Sequence, residues 1–191
     1  FVVKVVERWY IWPLVVFEFA DPNFNSWWQT KDFTRLNYGL GAYHANFRGR
    51  KETLGFIFQL GYSKRFKLQY DIPFITKKQN LGLGFSYAFT QNDQITYGTN
   101  NNIRLFLDGT DGKLQQQHVG KVNVSWRNDL YNKHNFELTF TDVAVDDTLL
   151  TVTDDYFAPS MNRATYFGFI YNFAHDKRDN VAYPLKGHIY G

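Results

Sequence analysis

Hydrophobic and polar positions alternate with a period of two along most of this chain. The cleanest run is Arg65 to Ile72. Phe66, Leu68, Tyr70 and Ile72 fall on one side of it, Lys67, Gln69 and Asp71 on the other. Successive side chains of a strand point to opposite faces, so the run predicts a strand with one apolar and one polar face. The preceding stretch sorts the same way, with Leu54, Phe56, Phe58, Leu60 and Tyr62 against Thr53, Gly55, Ile57, Gln59 and Gly61. Next, Leu81, Leu83, Phe85, Tyr87 and Phe89 oppose Gly82, Gly84, Ser86 and Ala88. Leu36, Tyr38 and Leu40, then Val122, Val124 and Trp126, then Phe136, Leu138 and Phe140 repeat the theme. Phe167, Phe169, Tyr171 and Phe173 do so with Tyr166 and Ile170 as imperfections.

These patterns predict strands at about 14–20, 35–46, 53–63, 65–75, 80–92, 115–127, 133–143 and 164–175. The stretch 93–114 reads as a long loop with room for its own hairpin, since Ile103 to Leu107 has strand composition. No long helical pattern competes. The fold class is therefore all-β and antiparallel.

Strand length separates the two all-β architectures. Strands of soluble domains run to about 5–6 residues, whereas a strand crossing a bilayer at a steep tilt needs about 9–11. Most of those predicted here run 9 to 13 residues. The apolar face is also unusually aromatic. Packed into a sandwich core about 10 Å thick, so many rings would crowd each other; turned to lipid they crowd nothing. The pattern thus favours a transmembrane β-barrel of the outer-membrane type. On that reading Phe66, Leu68, Tyr70, Ile72, Phe85, Tyr87 and Phe89 face lipid, and Lys67, Gln69, Asp71, Gly82, Gly84 and Ser86 face the lumen. Connections support it: short turns at 47–51, 76–79 and 128–132 are separated by long links at 21–34, 93–114 and 144–163, with Ser63-Lys64 as the exception. In bacterial barrels the short side is periplasmic. Trp9, Tyr10 and Trp12 before the first strand, and Trp27 and Trp28 after it, suit interfacial girdles.

Composition sharpens this picture. The 191 residues include 19 Phe, 13 Tyr, 5 Trp, 14 Gly and no Cys. Mean hydropathy is nonetheless −0.42. The absence of Cys excludes a disulfide framework and thiol chemistry. The net charge of +3 is dispersed rather than clustered, unlike that of a nucleic-acid binder. The longest candidate for a spanning helix, Leu14 to Ala20, is far too short and carries Glu18. The N-terminus, Phe1-Val2-Val3-Lys4, lacks a signal-peptide layout, as expected of a mature or truncated chain.

Several motifs resemble the BamA/TamA superfamily of outer-membrane assembly proteins in its Bacteroidetes form. They are Glu7-Arg8-Trp9-Tyr10-Ile11-Trp12-Pro13, Ala20-Asp21-Pro22-Asn23-Phe24-Asn25-Ser26-Trp27-Trp28, Arg35-Leu36-Asn37-Tyr38-Gly39-Leu40 and Asn46-Phe47-Arg48-Gly49-Arg50. Leu68 to Pro73 and the closing His175-Asp176-Lys177-Arg178-Asp179 with Tyr183-Pro184-Leu185-Lys186-Gly187 complete the set. The last run is similar to the family's periplasmic turn halfway round the barrel. The resemblance implies that residues 1–12 end a periplasmic POTRA domain. It also implies that 13–191 form the N-terminal half of a barrel of roughly 16 strands, with 188–191 starting the ninth. Half a barrel leaves open edges that lipid cannot satisfy, so closure by further strands is expected.

The implied function is assembly and insertion of other barrel proteins, with client strands pairing at the first strand. That strand would be Leu14, Val15, Val16, Phe17, Glu18, Phe19 and Ala20. Val15, Phe17 and Phe19 are expected toward lipid and Val16, Glu18 and Ala20 toward the lumen. Pro13 marks either a seam built to open or a mere domain junction. Implied partners are outer-membrane lipid, unfolded barrel clients and accessory lipoproteins, in the outer membrane of a Gram-negative bacterium. The small residues at 82, 84, 86 and 88 either allow the backbone to curve or leave room for a lumenal loop. The second is preferred because the family places a loop there.

Other signals point away from chemistry. Gly84-Phe85-Ser86-Tyr87-Ala88 mimics a nucleophile elbow, but that motif needs a strand-to-helix turn and here lies inside an alternating strand. The five His show no ligand spacing, and neither a metal nor a cofactor is expected. Asp142, Asp146, Asp147, Asp154 and Asp155 enrich one region, with calcium as one reading and a solvated loop as the preferred one. Arg48, Arg50, Lys51, Lys77 and Lys78 are expected in turns, as solvated groups or contacts to lipid phosphate. The chain is not expected to be an enzyme. Two alternatives to assembly are carried: a protein-exporting barrel of the two-partner type, and a soluble all-β binding module.

Overall fold

The computed structural model describes residues 4, 8–20, 24–31, 33–100, 103–108, 113–152, 156–157 and 161–191. Among the described residues there are eleven strands: β1 (Ile11–Phe19), β2 (Leu36–Phe47), β3 (Glu52–Gly61), β4 (Ser63–Ile72), β5 (Leu81–Asn92), β6 (Gln94–Asn100), β7 (Ile103–Asp108), β8 (Gln115–Arg127), β9 (Asn132–Val145), β10 (Arg163–Asp176) and β11 (Ile189–Tyr190). Two short helices, α1 (Phe24–Thr30) and α2 (Asp147–Leu150), lie in long connections. Nine strands form one sheet in the order β1-β2-β3-β4-β5-β8-β9-β10-β11, and β6 and β7 form a separate hairpin. Each neighbouring pair in the large sheet is antiparallel.

The register places the two halves of the alternating pattern on two faces. Phe56, Leu68, Tyr87, Gly120, Phe140 and Phe167 form one continuous row across six strands. Directly beside it on the other face runs Gly55, Gln69, Ser86, Lys121, Thr139 and Gly168. The aromatic face is open: Phe85 is 44% exposed, Phe167 71% and Phe169 66%. A sandwich would bury these rings under a second sheet, and no such layer exists among the described residues. The fold is all-β, a single-layer antiparallel wall with one apolar and one polar face, of the kind that builds outer-membrane barrels. It is unclosed, with β1 at one margin and β11 at the other.

Short turns join β2 to β3, β4 to β5 and β8 to β9 at one end of the sheet, and longer links join β1 to β2, β5 to β8 and β9 to β10 at the other. The exception is the link from β3 to β4, the single residue Tyr62. The β6–β7 hairpin leans over that spot. The Phe106 ring meets the Tyr62 ring edge-on at 6.4 Å, and the Arg35 guanidinium lies 4.0 Å above the Phe106 ring. A small apolar cluster at this same end packs Leu114, Val145 and Leu149 with Ile95, Leu107 and Phe157. It roofs the polar face, because Val145 shares that face with Thr141 and Val143.

Two expectations need correction. The first strand begins at Ile11 rather than Leu14 and ends at Phe19, leaving Ala20 just beyond it. Pro13 lies inside the strand rather than at its end. The fourth strand runs from Ser63 to Ile72 rather than from 65 to 75, so Ser63 and Lys64 belong to it instead of linking it to β3, and it stops before Pro73. The possible hairpin within 93–114 is present as β6 and β7.

Candidate functional site

The open margin at β1 is the candidate site. β1 pairs with β2 from Ile11↔His44 to Phe19↔Leu36 without a break. Just beyond each end the ladder continues: Ala45 N–H donates to the Tyr10 carbonyl at 2.8 Å, and Ala20 N–H donates to the Arg35 carbonyl at 2.9 Å. Hydrogen-bonded residues alternate along an antiparallel pair. The even positions of β1 therefore bond to β2, and Ile11, Pro13, Val15, Phe17 and Phe19 turn their backbone groups to the free side. A proline at an even position would cost a ladder bond; at 13 it costs the β1–β2 pair nothing. This is why the strand runs through it.

Side chains sort across the same strand. Val15 and Phe17 stand 78% and 60% exposed and continue the aromatic face through Leu40 and Tyr38. Leu14 and Val16 lie on the polar face opposite Gly41 and Gly39. A Cβ at Gly39 would sit 2.3 Å from the Phe58 carbonyl oxygen, and one at Gly41 2.7 Å from that of Phe56. The glycines thus let β2 lie close against β3 at these positions. A groove lined by Leu14, Tyr43, Gly55, Ile57, Lys67 and Gln69 runs beside the margin. Glu18 is exposed and pairs with Asn37. At the short-turn end, Trp12 stacks on Tyr43 at 6.5 Å and Tyr10 on His44 at 6.2 Å, pinning β1 to β2. At the other end Phe19, Phe24, Trp27 and Phe33 form an aromatic knot.

The remaining candidate residues lie where the register puts them. Phe66, Leu68, Tyr70, Ile72, Phe85, Tyr87 and Phe89 share one face, and Lys67, Gln69, Asp71, Gly82, Gly84 and Ser86 share the other. Gln69 Nε2 donates to Asp71 Oδ2 at 2.6 Å. The room beside Gly84 is filled by the Asp71 carboxylate, 2.7 Å from where a Cβ would lie. Beside Gly82 stand Ser125 Oγ at 2.6 Å and the Pro73 carbonyl at 2.7 Å. The atoms nearest these glycines belong to β4, β8 and the residue after β4. Ser86 sits inside β5, far from any strand-to-helix turn.

Some functional geometry was not anticipated. Glu52 is fully buried at the first position of β3. Arg48 grips it through Nε at 2.8 Å and Nη2 at 2.9 Å, and the Tyr70 hydroxyl donates to it at 2.7 Å. Tyr70 therefore joins the aromatic face to a turn, a role that alternation alone does not reveal. The arginine four residues before Glu52 was the available signal. Asp142 belongs to β9, and Arg163 and Thr165 of β10 hold it. Asp146 caps α2, accepting from Thr148 N–H at 2.9 Å. Asp147 accepts from Asn162 at 3.1 Å, and Asp154 and Asp155 lie outside the described residues. No group of three or more potential metal ligands occurs among the described residues.

The turn at 177–188 also acquires a physical reading. Arg178 clasps Asp176 through Nε at 2.8 Å and Nη2 at 2.7 Å. Asp179 Oδ1 accepts from the backbone N–H of Asn180 at 2.9 Å and of Leu185 and Lys186 at 3.1 Å each. These amides, that of Lys186 first, hold the Asp179 carboxyl below its ordinary range. In the motif at the N-terminal end, residues 1–3 and 5–7 lie outside the described residues, as do Asp21, Pro22 and Asn23.

No protein-family description matches the chain, and no curated protein matches it. Among solved structures, BamA from Haemophilus ducreyi lacking POTRA domains 1–3 is similar at 16% identity and a TM-score of 0.44. The likeness covers 82% of this chain and 30% of that one, so this chain spans under a third of that protein's length.

Proposed function

We propose that this chain is the wall of an outer-membrane barrel that folds and inserts other barrel proteins in a Gram-negative bacterium. The observation that carries the proposal is the free side of β1. Ile11, Val15, Phe17 and Phe19 present backbone groups there with no partner strand among the described residues. Such an edge templates the addition of another strand. Lipid cannot satisfy those groups, so a strand from an unfolded client gains the full benefit of pairing. The client's side chains must continue the two faces, apolar beside Val15 and Phe17 and polar beside Glu18. The partners on this view are unfolded barrel chains, outer-membrane lipid and accessory lipoproteins, and the chain is not an enzyme.

The test is reconstitution of the full-length protein in phosphatidylethanolamine–phosphatidylglycerol vesicles with a urea-unfolded eight-stranded barrel as client. Assembly predicts faster appearance of the client's heat-modifiable folded form in the bilayer. Equal rates in empty and protein-bearing vesicles sink the proposal. A client recovered inside the vesicles, rather than in the bilayer, favours the exporting barrel instead. The polar face, with Lys121 paired to Glu137 at 2.7 Å, gives that alternative a wettable path.

A further inference from the structure

We infer that the β2–β3 turn and the apolar face beside it form a site for one anionic phospholipid. Arg48 and Arg50 take the headgroup phosphate, and a groove running from Tyr70 to Gly120 takes an acyl chain. The inference rests on the membrane-wall part of the function proposed above, because it needs the aromatic face in lipid, and not on the insertion of clients.

The turn holds more positive charge than it neutralises. Glu52 is fully buried, with Arg48 Nε 2.8 Å and Arg50 Nε 3.6 Å from its oxygens, yet the two arginine side chains remain 54% and 55% exposed. One carboxylate balances one guanidinium, so the pair keeps a net positive charge, and exposed Lys51 adds to it. The frame that carries these cations is fixed. Asn46, Arg48 and Lys51 have φ of 101°, 55° and 58°, and Asn46 Oδ1 accepts from the Lys51 N–H at 2.8 Å. Left-handed conformations are costly for residues other than glycine and persist where the surroundings enforce them. Two guanidiniums held this way match the oxygens of a phosphate.

Tyr70 joins this turn to the apolar face. Its hydroxyl donates to Glu52 at 2.7 Å and accepts from Arg48 Nη2 at 2.6 Å, and the Phe47 ring meets its ring edge-on at 6.2 Å. From Tyr70 a groove crosses the apolar face past Leu68, Phe85, Val122 and Phe140. Its floor is Gly120, the one gap in the row between Tyr87 and Phe140. Nothing lies within 4 Å of where a Gly120 Cβ would stand. β4 and β8 are two strand spacings apart, about 10 Å, a distance that one long acyl chain spans. A lipid whose phosphate sits on Arg48 and Arg50 thus starts its chain at the mouth of the groove. The net charge of the turn selects an anionic headgroup over a zwitterionic one.

Native mass spectrometry reads the site in the full-length protein, released from micelles that hold equal amounts of dioleoyl phosphatidylglycerol and dioleoyl phosphatidylcholine. The first lipid retained is expected to be phosphatidylglycerol, with a preference of roughly fivefold for each cation engaged. Arg50→Gln, which leaves Arg48 on Glu52, should lower that preference about fivefold. Gly120→Leu fills the groove without meeting a neighbour. It should weaken retention of dioleoyl phosphatidylglycerol and leave that of the dihexanoyl form, too short to reach position 120, unchanged. Equal retention of the two dioleoyl lipids by the wild type, or wild-type behaviour of either variant, overturns the site and leaves the membrane wall standing. Displacement of the lipid by millimolar inorganic phosphate also overturns it, since the groove would then contribute nothing. A full-length protein that stays dispersed in plain buffer and retains neither lipid removes the wall and the site together.

Discussion

Lys121 Nζ stands 2.7 Å from Glu137 Oε1, bridging β8 and β9 diagonally, since Lys121 directly faces Thr139 and Glu137 faces Asn123. The two side chains remain 43% and 23% exposed. An ion pair this wet contributes under about 1 kcal/mol, and salt weakens it. A double-mutant cycle with Lys121→Met and Glu137→Gln in vesicles is expected to give a coupling of that size, falling further at high salt. A coupling of several kcal/mol that ignores salt would mean that the polar face is sealed from water.

Leu68 and Gln69 are sequence neighbours on opposite faces. If the aromatic face meets lipid, Leu68→Arg costs roughly 2–4 kcal/mol near the bilayer midplane. Gln69→Arg, on the polar face, should stay within about 1 kcal/mol. Reversible guanidinium unfolding in vesicles compares the two directly. Similar costs for both would contradict an acyl-chain environment for the Leu68 side.

Two turn carboxylates make the short-turn end sensitive to acid. Backbone N–H groups of Asn132 and Tyr131 lower the Asp129 carboxyl, as those of Lys186, Leu185 and Asn180 lower that of Asp179. A depressed carboxyl lends its stabilisation above the unfolded value, about 3.9, and loses it as pH falls through the lower folded value. Pepsin cleavage within 177–188 should therefore accelerate as pH drops from 5 toward 2, after correction for pepsin's own profile. Asp179→Asn should flatten the part of that dependence belonging to this turn. An unchanged profile in the variant would remove Asp179 from the account.

Gly187 has φ +97°, and a Cβ on it would lie 2.1 Å from the Lys177 carbonyl oxygen. Both facts exclude an alanine without backbone movement. Gly187→Ala should cost more than about 1 kcal/mol locally and release β11, which holds β10 through only His175↔Tyr190 and Asp176↔Ile189. Faster proteolysis at 177–188 with an intact remainder of the sheet is the expected readout. Wild-type resistance would show that the turn has an easier alternative.

The alternating pattern made the sheet legible because its period is that of the strand itself: Phe66 to Ile72 sort by face wherever the register falls. It could not reveal which strand edge a residue serves, because edge direction depends on the partner and leaves no hydropathy trace. That is why Pro13 looked like a boundary when it lies inside β1. α1 escaped notice because seven residues, four of them Phe24, Asn25, Ser26 and Trp27, give too short a run for helical periodicity. Glu52 escaped because a carboxylate at a strand start reads as solvated until Arg48 and Tyr70 are seen to converge on it.

The shortest connection at the long-loop end, Tyr62, shelters under Phe106 of the longest insertion. Loop lengths on that surface are thus coupled. Trimming 93–114 would strip the roof from β3 and β4 as well, opening a port on strands whose own connection is too short to fill it. Any change that reshapes the hairpin must therefore keep Phe106 within reach of Tyr62.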